Sequence, residues 1–253
     1  RSLDGASDAA AELWGQLTEL GWNAISIPET AGGVGLGALE VCVLMEEMGR
    51  ALMPAPFFSL VLGVELLKSV DSAEAGATLE QLATGKSLCV DGIGPTSLDS
   101  EKVSLRVRQG KLFGRIENVR DLAVSDFLLA PALSEGGEWL LVQVDLQASG
   151  VERVARRSID ALVSFGAAKF DGVAATVLAQ GQHVQQLLSH VSDLAATYQA
   201  FEQIGGAEAA CVMAKDYALT RYAFGRPIGS NQAIKHKLAD MVVRIELARS
   251  NAY

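Results

Sequence analysis

Apolar residues recur at helical spacing from Ser7 to about Leu82. Leu36, Leu39 and Val43 carry the stripe, and Val41, Leu44, Met45 and Met48 widen the buried side of a helix predicted to end near Gly49. Two connections interrupt this run. Ile27-Pro28-Glu29 followed by Ala31-Gly32-Gly33-Val34-Gly35 predicts an exposed turn, and Pro54-Ala55-Pro56 breaks the chain before the next helix. From Ser87 to about Val173 the period changes to two. Val103 to Val107 and Leu112 to Ile116 alternate around Arg108-Gln109-Gly110, a hairpin signal, and Phe127 to Ala130 and Trp139 to Val144 predict further strands. Helical spacing returns from Gln180 to Tyr253, with breaks expected at Gly205-Gly206 and at the Phe224 to Gly229 link between two long helices.

The order helices, strands, helices predicts an α+β chain: an N-terminal helical domain over 1–85, a small central β-barrel or sandwich over 86–178, and a C-terminal helical bundle over 179–253. The last helix, Asn231 to Tyr253, has neither a capping glycine nor a proline behind it, so the bundle is expected to continue beyond this sequence.

With 49% hydrophobic and 20% charged residues, the 253-residue chain can bury a core and is not of a disordered composition. No apolar run approaches the roughly 20 residues that span a bilayer, and Arg1 to Glu12 lacks the apolar stretch of a signal peptide. The expectation is a cytoplasmic protein without membrane insertion. A net charge of −9 argues against a nucleic-acid partner, which requires clustered Lys and Arg.

Cys42, Cys89 and Cys211 are widely spaced in apolar surroundings and are expected to be buried free thiols. The glycine run at 31–35 lacks the Lys-Ser/Thr ending of a phosphate loop. His183 and His190 lie close to two helical turns apart, but no third ligand joins them, so with His236 they are expected on a surface and no metal site is assigned. Glu46-Glu47 and Glu101-Lys102 are expected to be solvated or ion-paired, each exposed pair contributing about 0.2–1 kcal/mol at most.

The run with most chemistry is Arg221-Tyr222-Ala223-Phe224-Gly225-Arg226-Pro227-Ile228-Gly229, followed by Gln232 and by Leu238-Ala239-Asp240-Met241. A helix end followed by Gly-Arg-Pro predicts a tight link between antiparallel helices. Arg221 can offer a fork of donors to a pyrophosphate, and Phe224 a flat apolar face to an adenosine or flavin ring. On residue types alone, Arg221 paired with a carboxylate and Phe224 filling a helical core is the more ordinary arrangement.

This run resembles the signature R-x-x-F-G-x-x-I-x-x-x-Q followed by L-A-[DE]-M of the acyl-CoA dehydrogenase family of flavoproteins. Tyr217-Ala218-Leu219 upstream and Glu246-Leu247-Ala248-Arg249 downstream extend the likeness. Leu20-Gly21-Trp22, Ile27-Pro28-Glu29, Gly32 to Leu36 and Glu46-Glu47-Met48-Gly49-Arg50 resemble the family's N-terminal helical domain, and Phe170-Asp171-Gly172-Val173 the strand ending its β-domain. The resemblance implies α,β-dehydrogenation of an acyl-CoA thioester, FAD as hydride acceptor, an electron-transfer flavoprotein as oxidant, and an oligomer. It implies that Arg221, Phe224, Asn231 and Gln232 contact FAD held mainly by a neighbouring subunit.

The same resemblance leaves the catalytic residue unassigned. The family's base is a Glu beyond the position of Tyr253, or in a minority lies on the helix containing Asp193 to Thr197, where counting back from Tyr217 places Ala195. Asp193 matches a substrate-side Asp of the family, whereas an Arg three residues later is here Ala196. The family's T-E-P-x-x-G-S-D flavin loop is replaced by Asp91-Gly92-Ile93-Gly94-Pro95-Thr96-Ser97, and its Trp-bearing strand by Ile116-Glu117-Asn118-Val119-Arg120-Asp121. An interface motif kept while the chain's own cradle is lost resembles the non-catalytic subunit of heteromeric α2β2 acyl-CoA dehydrogenases of bacterial sterol side-chain degradation. A self-sufficient homo-oligomer with its base beyond residue 253 and a flavin-free structural relative are the alternatives. Nothing in the motifs selects among steroid-derived, short branched and aromatic acyl groups.

Overall fold

A computed structural model describes residues 6–94, 99–160 and 162–253, with side chains from Ala10 onward. Four helices come first: α1 (Ala6–Glu19), α2 (Ala38–Ala51), α3 (Phe57–Lys68) and α4 (Ala73–Ala83). Pro56 stands immediately before α3, where its missing N–H is harmless. Ser72 caps α4, its hydroxyl accepting the Ala75 N–H at 3.2 Å. Between α1 and α2 the chain makes two short 3-10 turns, Trp22–Ala24 and Glu29–Ala31. The glycine run that follows packs on them: a Cβ at Gly33 would stand 2.1 Å from the Ile27 carbonyl oxygen.

Eight strands follow: β1 (Leu88–Val90), β2 (Arg106–Arg108), β3 (Lys111–Arg120), β4 (Phe127–Ser134), β5 (Trp139–Asp145), β6 (Val151–Arg156), β7 (Phe165–Ala174) and β8 (Thr176–Gln180). They form one mixed sheet in the order β6-β7-β3-β2-β4-β5-β8, with β1 parallel to the first half of β4 and β2 parallel to its end. The inward residues of the alternating strands, among them Leu112, Ile116, Leu128, Val142, Ala168 and Phe170, fuse into one apolar core. The β2–β3 connection is the tight hairpin that Gln109-Gly110 predicts, with φ of +49° and +74° at its two central residues. The predicted strand at Val103 to Val107 begins only at Arg106. Val103 and Leu105 are buried as coil, and this backbone folds over β3, where a Cβ at Gly114 would stand 2.4 Å from the Ser104 carbonyl oxygen.

Short polar contacts tie these helices to the sheet. Ser59 of α3 donates to the buried Asp121 carboxylate at 2.6 Å, and Gln143 of β5 donates to the Thr78 hydroxyl of α4 at 2.7 Å. The backbone N–H and hydroxyl of Ser87 both donate to Asp126. Each contact satisfies a polar group that would otherwise be stranded beside apolar packing.

α5 (Gln182–Thr220) is one continuous helix of 39 residues, so the break expected at Gly205-Gly206 is absent. The glycines serve close approach instead. Gly205 meets the α2 backbone at Glu46, and Gly49 of α2 meets the α5 backbone at Glu202. The same contact rotates α2 relative to expectation. Leu36, Leu39 and Val43 are exposed, and the buried face is Val41, Cys42, Met45, Met48 and Gly49. α6 (Gln232–Ala252) runs back antiparallel to α5, bringing the ring of Tyr253 edge-on to Phe201 at 4.8 Å.

The chain divides into two compact units, Arg1–Ala38 with Pro54–Ala195 and Leu39–Met53 with Ala196–Tyr253. In the second unit a charge network joins three helices. Arg249 of α6 reaches Glu46 of α2 at 2.8 Å and Glu208 of α5 at 2.6 Å, and Arg50 reaches Glu208 at 2.8 Å. Glu46 is thus buried and paired, and only Glu47 of that doublet is exposed. Lys102 pairs with Asp99, 3.7 Å away, and lies exposed beside Glu101.

The hydrogen bond from Arg50 holds the Glu208 carboxyl below the usual carboxylate range. The unfolded chain therefore binds the proton first as pH falls, so the stability this group contributes is present above that range and is lost as pH drops through it. Glu208→Gln is expected to melt lower than the unaltered chain at about pH 7, with the two curves converging near about pH 3. Parallel curves at both pH values would remove Glu208 from the acid response.

Cys42, Cys89 and Cys211 are buried free thiols, and burial pushes the first two up and away from thiolate reactivity. Among the described residues no helix is long and apolar enough to cross a membrane.

Candidate functional site

Two short strands, β9 (Tyr222–Ala223) and β10 (Arg226–Pro227), turn the end of α5 back toward α6. The turn between them is Phe224-Gly225, with φ of +53° and +76°. This is the mirror-image turn that suits a two-residue hairpin, and it normally takes Asn, Asp or Gly at its first position. The Ile228 N–H closes the base of the hairpin on the Arg221 carbonyl at 2.8 Å. Phe224 is therefore held in a left-handed conformation that is unfavourable for a bulky side chain, by about 1–2 kcal/mol. The residue is 102% exposed, and none of the described residues covers its ring.

Arg221 is exposed and makes no side-chain hydrogen bond or ion pair among the described residues. Neither ordinary arrangement, a paired Arg221 or a core Phe224, is present. Asn231 precedes α6, and its side-chain oxygen accepts from Arg226 at 2.6 Å, which leaves the amide NH2 as the group it can offer. Gln232 begins α6, with its side-chain nitrogen 3.3 Å from a ring nitrogen of His236 one turn later. Arg226 and His236 thus orient two residues of the motif, a role that residue spacing alone did not assign to them.

Asp193, Ala195 and Asp91 lie in the first unit, and Ala196 is the first α5 residue of the second. Asp193 is on α5, next to Ser192, whose hydroxyl accepts the Gly94 N–H at 3.1 Å. Ala195 is buried and offers no proton acceptor, and Ala196 is exposed. Of the loop that replaces the family's flavin loop, Asp91 to Gly94 is described; Pro95, Thr96 and Ser97 lie outside the described residues. Asp91 keeps some surface open but is hemmed in by protein, and burial raises its carboxyl, an effect partly offset by the Gly92 N–H.

Strand β3 carries a bulge between Ile116 and Val119, with Asn118 at φ +56°. Ile116 and Val119 both turn into the core, leaving Glu117 and Asn118 exposed. Glu117 is clamped by Arg156 at 2.6 Å and by Arg115, and the hydrogen bond from Arg156 holds its carboxyl below the usual range. The spacing Ile116-x-x-Val119, three rather than two, is the sequence signal for that bulge.

These observations test FAD against the chain in two places. The hairpin fits a contributing role, because a bare aromatic face, a free guanidinium and an amide NH2 suit a ring and a pyrophosphate. Strand β3 does not fit the main cradle, since its outward groups at the bulge are a paired carboxylate and an amide where a flat apolar surface is required.

Residues 2–86 match the model of the acyl-CoA dehydrogenase N-terminal domain, and residues 193–253 that of the acyl-CoA dehydrogenase C-terminal domain. The chain belongs to the acyl-CoA dehydrogenase family. It is 30% identical over 246 residues to acyl-CoA dehydrogenase FadE34 of Mycobacterium tuberculosis, an alignment covering 97% of this chain and 31% of that one. Among solved structures, the Tcur3481-Tcur3483 steroid ACAD G363A variant is 28% identical with a TM-score of 0.79, covering 95% of this chain and 66% of that chain. The ChsE4-ChsE5 complex from Mycobacterium tuberculosis is 27% identical with a TM-score of 0.78, covering 93% and 65%. The chain thus spans about a third of that curated dehydrogenase and under two thirds of the ChsE4-ChsE5 chain it matches.

Proposed function

We propose that this chain is a cytoplasmic subunit of a heteromeric acyl-CoA dehydrogenase, lending Arg221, Phe224, Asn231 and Gln232 to an FAD site held mainly by a partner subunit. Phe224 carries the proposal: a bulky ring kept fully exposed on a left-handed backbone packs against nothing among the described residues. Bound FAD supplies the hydride acceptor for α,β-dehydrogenation of an acyl-CoA thioester. Arg221 would pair with the pyrophosphate, Phe224 would cover a ring, and Asn231, oriented by Arg226, would donate its free amide hydrogens.

On this chain the base position of α5 is the methyl group of Ala195, and the base is assigned to the partner subunit. Asp193 is assigned to contact the acyl-CoA. An electron-transfer flavoprotein is the proposed oxidant, and a steroid-derived acyl group is favoured because two solved relatives are named as a steroid ACAD and a two-component complex.

The test is an absorbance spectrum over about 300–550 nm of the chain purified alone and after co-expression with a catalytic acyl-CoA dehydrogenase subunit from the same organism. Flavin bands are expected only in the second preparation. Stoichiometric flavin in the chain alone would overturn the shared site, and none in either would leave the fold without this chemistry.

A further inference from the structure

In the first unit the path of paired strands ends in β6 on one side and β8 on the other. β8 packs against α4, and its pairing with β5 carries a bulge. β6 pairs with β7 in unbroken register, from Val151 opposite Phe170 to Arg156 opposite Phe165, and contains no proline. A bulge and a proline are the usual devices that keep a sheet edge from pairing further.

Hydrogen bonds at the start of β6 fix which way its backbone points. The Asp171 N–H donates to the Gly150 carbonyl at 3.1 Å, whereas the Val151 N–H turns to the Ala148 carbonyl at 3.3 Å. Alternation along an antiparallel ladder then directs the N–H and C=O of Glu152, Val154 and Arg156 at β7, and those of Arg153 and Ala155 at the open edge. The Arg153 side chain is drawn to the Ser125 carbonyl at 2.8 Å, on the inner face where the 3-10 turn Leu122–Val124 packs, so at the edge it presents backbone. Ala155 is exposed, and its methyl group is too short to cover its own backbone.

Val151 packs on the sheet's core, so Glu152, Val154 and Arg156 share the outer face, with Val154 55% exposed. A second β6 laid antiparallel across the edge brings Arg153 and Ala155 together as hydrogen-bonded pairs when the register is centred on Val154. That register sets Val154 against Val154, Glu152 against Arg156 at both ends, and Arg157 against Val151. Centring one residue earlier sets Arg153 against Arg153, a like-charge pair. Within its own chain Glu152 lies 3.8 Å from Lys169, and Arg156 reaches Glu117 at 2.6 Å. A carboxylate and a guanidinium each keep capacity for a further partner beyond these.

We propose that β6 is a self-complementary edge through which two copies of this chain pair as antiparallel strands about a two-fold axis at Val154. The edge uses none of the residues assigned to FAD, so it stands whether or not the flavin reading does.

A cysteine at the axis tests it, since opposed residues of a non-hydrogen-bonded pair stand about 4.5 Å apart at Cα, within disulfide range. The three native cysteines are buried. In oxidised glutathione, Val154→Cys is expected to form a disulfide-linked dimer, whereas Val177→Cys, on β8 and 42% exposed, is expected to stay unlinked. Adding Ala155→Pro, which deletes an N–H that β7 does not use, is expected to abolish the Val154→Cys link with the far-ultraviolet circular dichroism unchanged. Without crosslinking, sedimentation velocity is expected to show a dimer with a Kd of about 100 µM, as suits a small interface. Glu152→Arg and Arg156→Glu should each weaken it about tenfold by placing like charges opposite one another. An equimolar mixture of these two variants should regain the dimer, because the mixed pair has opposite charges at both ends. Linking of Val154→Cys no faster than of Val177→Cys, a link that survives Ala155→Pro, or a mixture no stronger than either variant alone would overturn the proposal.

Discussion

Gly205→Ala is expected to destabilise the second unit by about 3 kcal/mol, whereas Gly206→Ala one residue later is expected to be neutral or slightly stabilising. Both residues sit in the middle of α5, where alanine is the better helix former by about 0.8–1 kcal/mol. They differ in what a methyl group would meet. At Gly205 it would stand 1.8 Å from the Glu46 carbonyl oxygen and 2.9 Å from the Arg50 nitrogen, all backbone atoms that no rotamer change can move. At Gly206 the nearest atom is the Gly49 carbonyl oxygen at 3.5 Å, an ordinary contact.

Forcing α2 and α5 apart at Gly205 would also separate the charges they bring together, because Glu46 on α2 and Glu208 on α5 share Arg249. Removing one side of such a network leaves carboxylates with fewer partners, so the packing loss and the electrostatic loss fall together. Urea unfolding followed by far-ultraviolet circular dichroism would measure both variants. Equal effects from the two substitutions would mean that α2 and α5 do not meet at Gly205.

The glycine pair also marks where local pattern stops being informative. Propensity states what a glycine costs a helix, and that led to a break being expected. What offsets the cost is a contact with α2, which lies more than 150 residues away in sequence. The burial of Glu46 has the same origin: its partner Arg249 is 203 residues distant, so the local sequence allows Glu46-Glu47 to be solvated or ion-paired without showing that one of them is buried. The stripe Leu36, Leu39, Val43 has correct helical spacing but is exposed, with Leu36 standing before α2 begins at Ala38, because spacing identifies an amphipathic helix without saying which overlapping stripe will find the small residue that admits a neighbour.

Local features fared differently. Gln109-Gly110 specifies its hairpin because few residues adopt two consecutive positive φ angles, and Pro54-Ala55-Pro56 ends one helical run because proline cannot continue it. At the candidate site the chain motif was legible, while its internal supports were not. Arg226 and His236 act through hydrogen bonds to Asn231 and Gln232 that exist only once the hairpin and α6 have formed.

Phe224→Asn is expected to move stability and cofactor retention in opposite directions. Asparagine accepts the left-handed conformation that Phe224 holds at φ +53°, so the substitution should stabilise the isolated chain by about 0.5–1 kcal/mol. No packing opposes this gain, since the ring touches nothing it could lose on truncation, being 102% exposed. In the co-expressed complex the same change removes the aromatic face proposed to cover a ring of FAD, and flavin content after dialysis should fall with an apparent affinity loss of about tenfold. Arg221→Ala should cost more, about 1.5–3 kcal/mol of flavin binding, because it deletes a charge-assisted contact to a pyrophosphate, and should leave the isolated chain unchanged since Arg221 has no partner among the described residues. A residue that matters only for its own fold cannot give this pattern. If Phe224→Asn instead destabilises the chain and leaves flavin content intact, the strained ring belongs to the hairpin itself, and the shared site must be built from other residues.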